Sequence, residues 1–358
     1  MQRGYKKAKW GGRTRKLFSH PHSPFPISLH PFVFFALFAV FASCPSFAQR
    51  HDSQIPGPQQ EDSLIKVDPP ASADLPLEPL RRVEFEKVMR ERDYKRAETI
   101  LVEEAEGDPK SLRAAKLLTK AGGIFFLDGQ YLNAAIAYKK ADAIAPLDER
   151  SRFTMAMSYV KLDRRDWAKP ELEKLASLDP KNALYLYWLA RLDYDAQRYN
   201  TAIAGFQKVI ELDPRMMRAY DNLGLCYDYL GKYDDAIASY NHAVELNRGQ
   251  AHPSPWPHVN LAISLMAVNR LNEAENHLRM AIAYDARLPQ AHYQLGRALE
   301  KQGKYDDATE SLKKAAALDP NYPEPHYVLS RIYQREGKIE EAKKSIERLQ
   351  QLKKAKTP

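Results

Sequence analysis

Residues 217–250 read MRAYDNLGLCYDYLGKYDDAIASYNHAVELNRGQ, and residues 289–322 read PQAHYQLGRALEKQGKYDDATESLKKAAALDPNY. Both carry Leu-Gly at their seventh and eighth positions and Gly-Lys-Tyr-Asp-Asp-Ala from the fifteenth to the twentieth. A pattern written twice at this length predicts a repeated structural unit, and the rest of the chain extends it. Alanine returns at Ala134, Ala168, Ala202, Ala236, Ala274, Ala308 and Ala342, at intervals of 34 broken once by 38. Small residues hold the same phase at Gly122, Ala156, Ala190, Gly224, Ala262, Gly296 and Ser330. Glycines recur at Gly129, Gly231, Gly303 and Gly337, and prolines at Pro109, Pro146, Pro180, Pro214 and Pro320.

Each marker has a physical task. Small residues in mid-helix let a second helix approach, and the marker alanine does the same from the other side. Leu223, Tyr227 and Tyr240 fill the space in one repeat, Leu295, Leu299 and Leu312 in another. Glycine ends the first helix by taking the left-handed conformation. Proline stops the second, since it lacks a donor and restricts the residue before it.

With these residues in place the chain resembles the tetratricopeptide repeat family. That family's pattern has an aromatic at position 4, Leu and a small residue at 7 and 8, Tyr at 11, Ala at 20, an aromatic at 24 and Pro at 32. Tyr220, Leu223, Gly224, Tyr227, Ala236 and Tyr240 match it, with Arg248 in the proline's place. His292, Leu295, Gly296, Ala308 and Pro320 match it again, with Leu299 and Leu312 for aromatics. The resemblance implies an all-α, right-handed α-solenoid of about eight helix-turn-helix units: 78–111, 115–148, 149–182, 183–216, 217–250, 255–288, 289–322 and 323–356. The first unit departs from the pattern, with Glu84 and Phe85 at positions 7 and 8, and is expected to be a divergent end cap. Four extra residues, Ala251-His252-Pro253-Ser254, are expected to lengthen one loop and bend the stack locally.

The resemblance also implies a concave groove lined by first helices, with positions 2, 5, 6, 9, 12 and 13 facing inward. Positions 5 and 9 then give Tyr187/Arg191, Tyr293/Arg297 and Tyr327/Arg331, each pair four residues apart and so on one helix face. Tyr offers a rigid ring with a polar tip, and Arg a planar fork for carboxylates or carbonyls. Position 6 gives Asn222, Asn260 and Gln294, amides that resemble the ladder by which some members of the family hold an extended peptide backbone. Trp188 and Trp256 are expected to add apolar area nearby.

The remainder of the chain is of different character. Seven of the 54 Lys and Arg lie within residues 1–48, which hold no acid; without them 47 basic face 46 acidic residues. The net charge of +8 is therefore a property of this segment, and no nucleic-acid partner is expected. The basic stretch leads into apolar Pro31–Ala42 and then Ser46-Phe47-Ala48, a signal-peptide pattern with cleavage after Ala48. Twelve apolar residues fall short of the roughly 20 of a spanning helix, so no membrane span is expected. Phe41-Ala42-Ser43-Cys44 supports an alternative in which Cys44 is lipidated. Residues 49–77 hold Pro56, Pro58, Pro69, Pro70 and Pro76 without apolar periodicity and read as a disordered linker.

No catalytic motif is present. The chain lacks G-x-S-x-G, H-E-x-x-H, a phosphate-binding glycine loop and CxxC, and Cys226 reads as a buried thiol. His258, His292 and His326 recur at position 4 on successive first helices, whose separation of about 8–10 Å exceeds what three ligands to one ion allow. They are expected to pack, with no metal and no cofactor. Asp234-Asp235 and Asp306-Asp307 open second helices, where they suit the helix dipole. The expected function is a non-enzymatic scaffold, exported to the periplasm or beyond, that holds a protein or peptide partner in its groove. Two alternatives stay open: a lipoprotein assembly factor anchored through Cys44, and self-association through a last repeat whose Ile346, Leu349 and Leu352 stay partly open.

Overall fold

The computed structural model describes residues 75–355; the leader, Cys44 and residues 49–74 lie outside them. Sixteen helices and no strand are found among the described residues. The first four pairs are α1 (Pro79–Arg90) with α2 (Tyr94–Glu106), α3 (Leu112–Leu127) with α4 (Tyr131–Ile144), α5 (Glu149–Lys161) with α6 (Arg165–Leu178), and α7 (Ala183–Asp195) with α8 (Tyr199–Leu212). The next four are α9 (Met217–Tyr229) with α10 (Tyr233–Arg248), α11 (Trp256–Ala267) with α12 (Leu271–Tyr284), α13 (Pro289–Lys301) with α14 (Tyr305–Leu318), and α15 (Glu324–Arg335) with α16 (Ile339–Ala355). Each helix packs on its neighbours in the chain. First helices also touch the next first helix, as in α7–α9, α9–α11, α11–α13 and α13–α15, whereas no two second helices touch among the described residues. The stack is thus an all-α solenoid that draws together on its first-helix side.

The turn inside every repeat has one conformation. Gly129, Gly231, Gly303 and Gly337 have φ between 70° and 81°, and Arg92, Asp163, Gln197 and Asn269 fill the same place in the other repeats with φ between 55° and 62°. In each case the following amide reaches back across the helix end, as Lys232 N to Tyr227 O at 2.9 Å and Arg198 N to Asp193 O at 2.8 Å. This is the hydrogen bond of a left-handed helix stop. The glycines in the sequence therefore mark a backbone requirement that all eight repeats share. Where Asp, Asn, Gln or Arg stands instead, the side chain is exposed and the same backbone bond closes the turn.

Within a repeat, the two helices meet at the small residue. A Cβ placed on Gly224 would lie 2.5 Å from Tyr240 Cε1, and one on Gly296 2.5 Å from Leu312 Cγ. Ala134, Ala168, Ala202, Ala236, Ala274 and Ala308 are fully buried, and Ala342 nearly so. Tyr240 cannot swing aside, because it is buried and its hydroxyl donates to Asp228 Oδ2 at 2.9 Å. Asp228 also accepts from Ser264 Oγ of α11 at 2.7 Å, so one carboxyl joins both helices of this repeat to the next.

Two places differ from the sequence reading. Leu75 and Leu77, placed in the linker, are buried against Phe85, Val88 and Leu101. Arg82 donates to their carbonyls and Arg113 to that of Pro76, so the folded unit starts at least three residues earlier. In the divergent first repeat, Phe85 fills the core while Glu84 stays near the surface, bound by Arg96 and Arg81. At the insertion, α10 runs to 16 residues, and buried Asn247 pins the loop through paired bonds with the Ser254 backbone at 2.7 and 2.8 Å.

The histidine series does not converge. His258 is buried, and its Nδ1 lies 2.9 Å from Nδ1 of His277 on α12, with the Tyr284 ring edge-on at 5.3 Å. His292 Nε2 instead pairs with the Ala286 carbonyl at 3.0 Å, and His326 is half-buried. No group of three or more His, Cys, Asp or Glu is arranged to hold a metal ion among the described residues. Burial and the adjacent His277 and Arg248 charges push the His258 imidazole down to about 4. An unfolded chain binds that proton from near 6.5, so this group's contribution to stability falls as pH drops from about 6.5 towards 4. Asp228 acts in the opposite sense, since burial raises it from 3.8 to about 6, and its contribution falls as pH rises through that window.

Two outcomes follow from this packing. Gly224→Ala lowers stability by about 1–3 kcal/mol in thermal or urea unfolding. Gly249→Ala, whose added Cβ meets nothing nearer than the Leu246 carbonyl at 3.8 Å, leaves it within about 0.5 kcal/mol; equal effects would contradict the close approach. His258→Phe keeps the ring and removes the proton site. Between pH 7 and pH 5 the wild type loses about 2 kcal/mol more than this variant, the carboxylate contribution being common to both. Parallel pH profiles would show that the histidine pair is not the cause.

Candidate functional site

The first-helix side offers a row of side chains at positions 5, 6 and 9, one set per repeat. Whether a member of the row is reachable depends on the residue that follows it in the next repeat. On α7, Tyr187 and Arg191 are both buried. Asn222, from position 6 of α9, sits between them: its Nδ2 donates to the Tyr187 hydroxyl at 3.2 Å and its Oδ1 accepts from Arg191 Nη1 at 3.1 Å. The same amide donates to the Arg218 carbonyl at 2.9 Å, so both its donors and its oxygen are engaged. Arg191 further donates from Nε to Asp195 at 3.1 Å and lies over the Tyr194 ring at 5.3 Å, not over Tyr187.

One repeat on, the geometry recurs with different residues. Asn260 at position 6 of α11 donates to Asp221 Oδ1, at position 5 of α9, over 3.1 Å. Burial raises the Asp221 carboxyl to about 6, against the Asn260 amide and the Arg191 charge. Asn260 Oδ1 has no hydrogen-bond partner among the described residues. For Gln294, at position 6 of α13, the residue at position 5 of the preceding first helix is Val259, which has no polar side chain to offer. It is buried, and its Oε1 accepts instead from Arg297 Nη1 of its own helix at 3.0 Å.

From α13 onward the row opens. Position 6 of α15 is Val328, which cannot bond Tyr293 or Arg297. Tyr293 and Arg297 remain half-exposed, with the guanidinium 5.7 Å from the ring centroid. Tyr327 is 52% exposed, and the Arg331 guanidinium lies 5.8 Å from its centroid. Arg331 also pairs with Glu300 at 3.0 Å. Tyr322 sets its ring edge-on to Tyr293 at 5.2 Å. A third guanidinium, Arg335, bonds the Tyr305 hydroxyl and covers that ring at 5.5 Å.

The nine residues read from the sequence thus divide. Tyr187, Arg191, Asn222, Asn260 and Gln294 are buried and joined in hydrogen bonds within or between repeats. Tyr293, Arg297, Tyr327 and Arg331 reach solvent on adjacent helices. Trp188 and Trp256 are core residues, Trp188 packed edge-on to Tyr187 at 5.6 Å. Sequence reasoning missed Asp221, Asp228, Glu300 and Arg335. Asp221 had a signal, as the one acid at position 5, where the other repeats carry Arg82, Thr119, Phe153, Tyr187, Val259, Tyr293 and Tyr327. On α16, Leu352 is buried while Ile346 and Leu349 are half-buried.

This arrangement offers ring faces and charged hydrogen-bond donors to solvent. No helix among the described residues is long and apolar enough to cross a membrane.

Comparison with known proteins agrees with the fold. Models described as Tetratricopeptide repeat match residues 153–208 and 259–323, 182–249, and 299–355. The human superkiller complex protein 3 is 27% identical over 146 residues, which is 38% of this chain and only 9% of that relative. Among solved structures, a tetratricopeptide repeat protein from Parabacteroides merdae aligns with a TM-score of 0.55 at 18% identity, over 74% of this chain and 97% of its own. Yeast Tom70 aligns with a TM-score of 0.52 at 20% identity, over 81% of this chain and 63% of its own. At these identities the structural likeness speaks for the fold alone. The repeat phase, the paired helices and the matching models together place this chain in the tetratricopeptide repeat family.

Proposed function

We propose that this protein is a non-catalytic scaffold that holds an extended segment of a protein partner along its first-helix side. The observation that carries this reading is the pair of accessible Tyr/Arg steps, Tyr293/Arg297 and Tyr327/Arg331, set on touching helices. Tyr and Arg are the side chains that concentrate binding energy at interfaces. The buried amide bonds behind them keep the platform rigid, so little conformational entropy is lost on binding.

The leader over residues 1–48 supports export, and with it a role in the bacterial envelope, periplasmic or secreted. Attachment through a lipidated Cys44 is the alternative that Phe41-Ala42-Ser43-Cys44 favours. A second copy of the chain is the alternative partner, favoured by half-buried Ile346 and Leu349 on α16.

Charge reversal tests the binding reading. Arg297→Glu with Arg331→Glu reduces partner capture from envelope extracts by at least about tenfold, since each accessible Arg at such a site is worth on the order of 1 kcal/mol or more. The helical circular dichroism stays unchanged, and capture at the wild-type level would sink the proposal. The mass of the mature N-terminus tests the address: an unmodified chain beginning at Gln49 fits export, a diacylated Cys44 fits anchoring, and an intact leader fits neither.

A further inference from the structure

We infer that the open face formed by α13 and α15 takes an acidic polyproline II segment with a carboxylate at every third residue. This rests on the binding reading above and specifies its ligand.

The argument starts from spacing. Tyr293/Arg297 and Tyr327/Arg331 occupy the same positions on first helices that touch. Helices in contact lie about 8–10 Å apart, so equivalent backbone positions on α13 and α15 repeat over about that distance, and the guanidinium groups lie 5.7 and 5.8 Å from their own Tyr rings. A peptide that engages both must present like side chains on one face at the same interval. An extended strand repeats a face every two residues, roughly 6.6–6.8 Å, and falls out of register after one step. A helical peptide repeats every turn, about 5.4 Å, and fits worse. Polyproline II repeats every three residues at about 3.1 Å each, close to 9.3 Å, and stays in register.

Surface chemistry points the same way. The face is built on rings: Tyr293 with Tyr322 edge-on at 5.2 Å, and Tyr327 half-exposed one helix away. Proline-rich segments dock on aromatic-lined surfaces of this kind, because their preformed helix loses little entropy on binding. The backbone of such a segment makes no internal hydrogen bonds, which leaves its carbonyls free to accept from guanidinium groups.

Charge selects the acidic version. Arg297 has no acidic partner among the described residues; its Nη1 donates to the neutral Gln294. Arg331 shares Glu300 in an ion pair whose arginine is 53% exposed. Glu300 is only 13% exposed and keeps its hold on one side of the guanidinium, so a ligand carboxylate takes the donors that the planar fork leaves open. Arg297, Lys301, Arg331 and Arg335 on the two helices outnumber Glu300 and Glu324 at the same groove positions.

The test is a set of short proline-rich peptides, each with two glutamates placed two, three or four residues apart, and a glutamine control at the three-residue spacing. Binding to the full chain is read by fluorescence anisotropy. The three-residue spacing binds at least about tenfold more tightly than the others and than the glutamine control. Arg297→Glu or Arg331→Glu each removes that preference while circular dichroism stays unchanged. Equal affinity at all spacings, or a preference for two or four, overturns the inference. If the charge reversals abolish capture of the natural partner yet no spacing is preferred, the binding reading stands and this refinement fails. If they leave capture intact, the binding reading itself fails.

Discussion

Two helices of one repeat can pack only where one of them carries almost no side chain. Gly224 against Tyr240 and Gly296 against Leu312 leave no room for a single added carbon. The marker alanines close the same gap from the other helix. Everything else in the architecture follows from that approach. The shared left-handed turn joins the two helices that meet there. A pair so formed still exposes one apolar side, so it is stable only when the next pair covers it. Leu75, Leu77 and Phe85 perform that covering at the first repeat, where the usual residues are missing.

Apolar packing holds each repeat together and runs on into the next, and polar bonds add to that seam. The recurring contact links position 5 or 9 of one first helix to position 6 of the next, as in Tyr187 and Arg191 with Asn222, and Asp221 with Asn260. Asp228 adds a second link through Ser264. These groups are buried, so a missing partner would cost more than the bond itself supplies. That asymmetry makes the seam specify register between repeats, and it consumes side chains that resemble ligand-binding residues.

Much of the fold was legible in the amino-acid sequence. Alanine, small-residue and turn markers recurring in one phase identify helix pairs, because each marker answers a local steric need. The turn itself was only half legible: four glycines announced it, while Arg92, Asp163, Gln197 and Asn269 adopt the same conformation without a compositional sign. The start of the folded unit was misplaced for a related reason. Leu75 and Leu77 show no periodicity, and their burial comes from a surface that the first repeat provides.

The sequence by itself determined that this chain is a stack of helix pairs with Tyr/Arg pairs at one register position, since those features depend on residues close in the chain. It could not rank the three Tyr/Arg pairs, which are alike in spacing and composition. The tertiary structure did so through contacts more than 30 residues away in sequence. Asn222 reaches across to Tyr187 and Arg191 and draws them into the seam. Val328, in the equivalent place one step beyond Tyr293 and Arg297, has no polar atom to offer, and those two keep their access to solvent. A side chain is available for binding only if its neighbour in the next repeat does not already bind it, and that neighbour is a property of the stack.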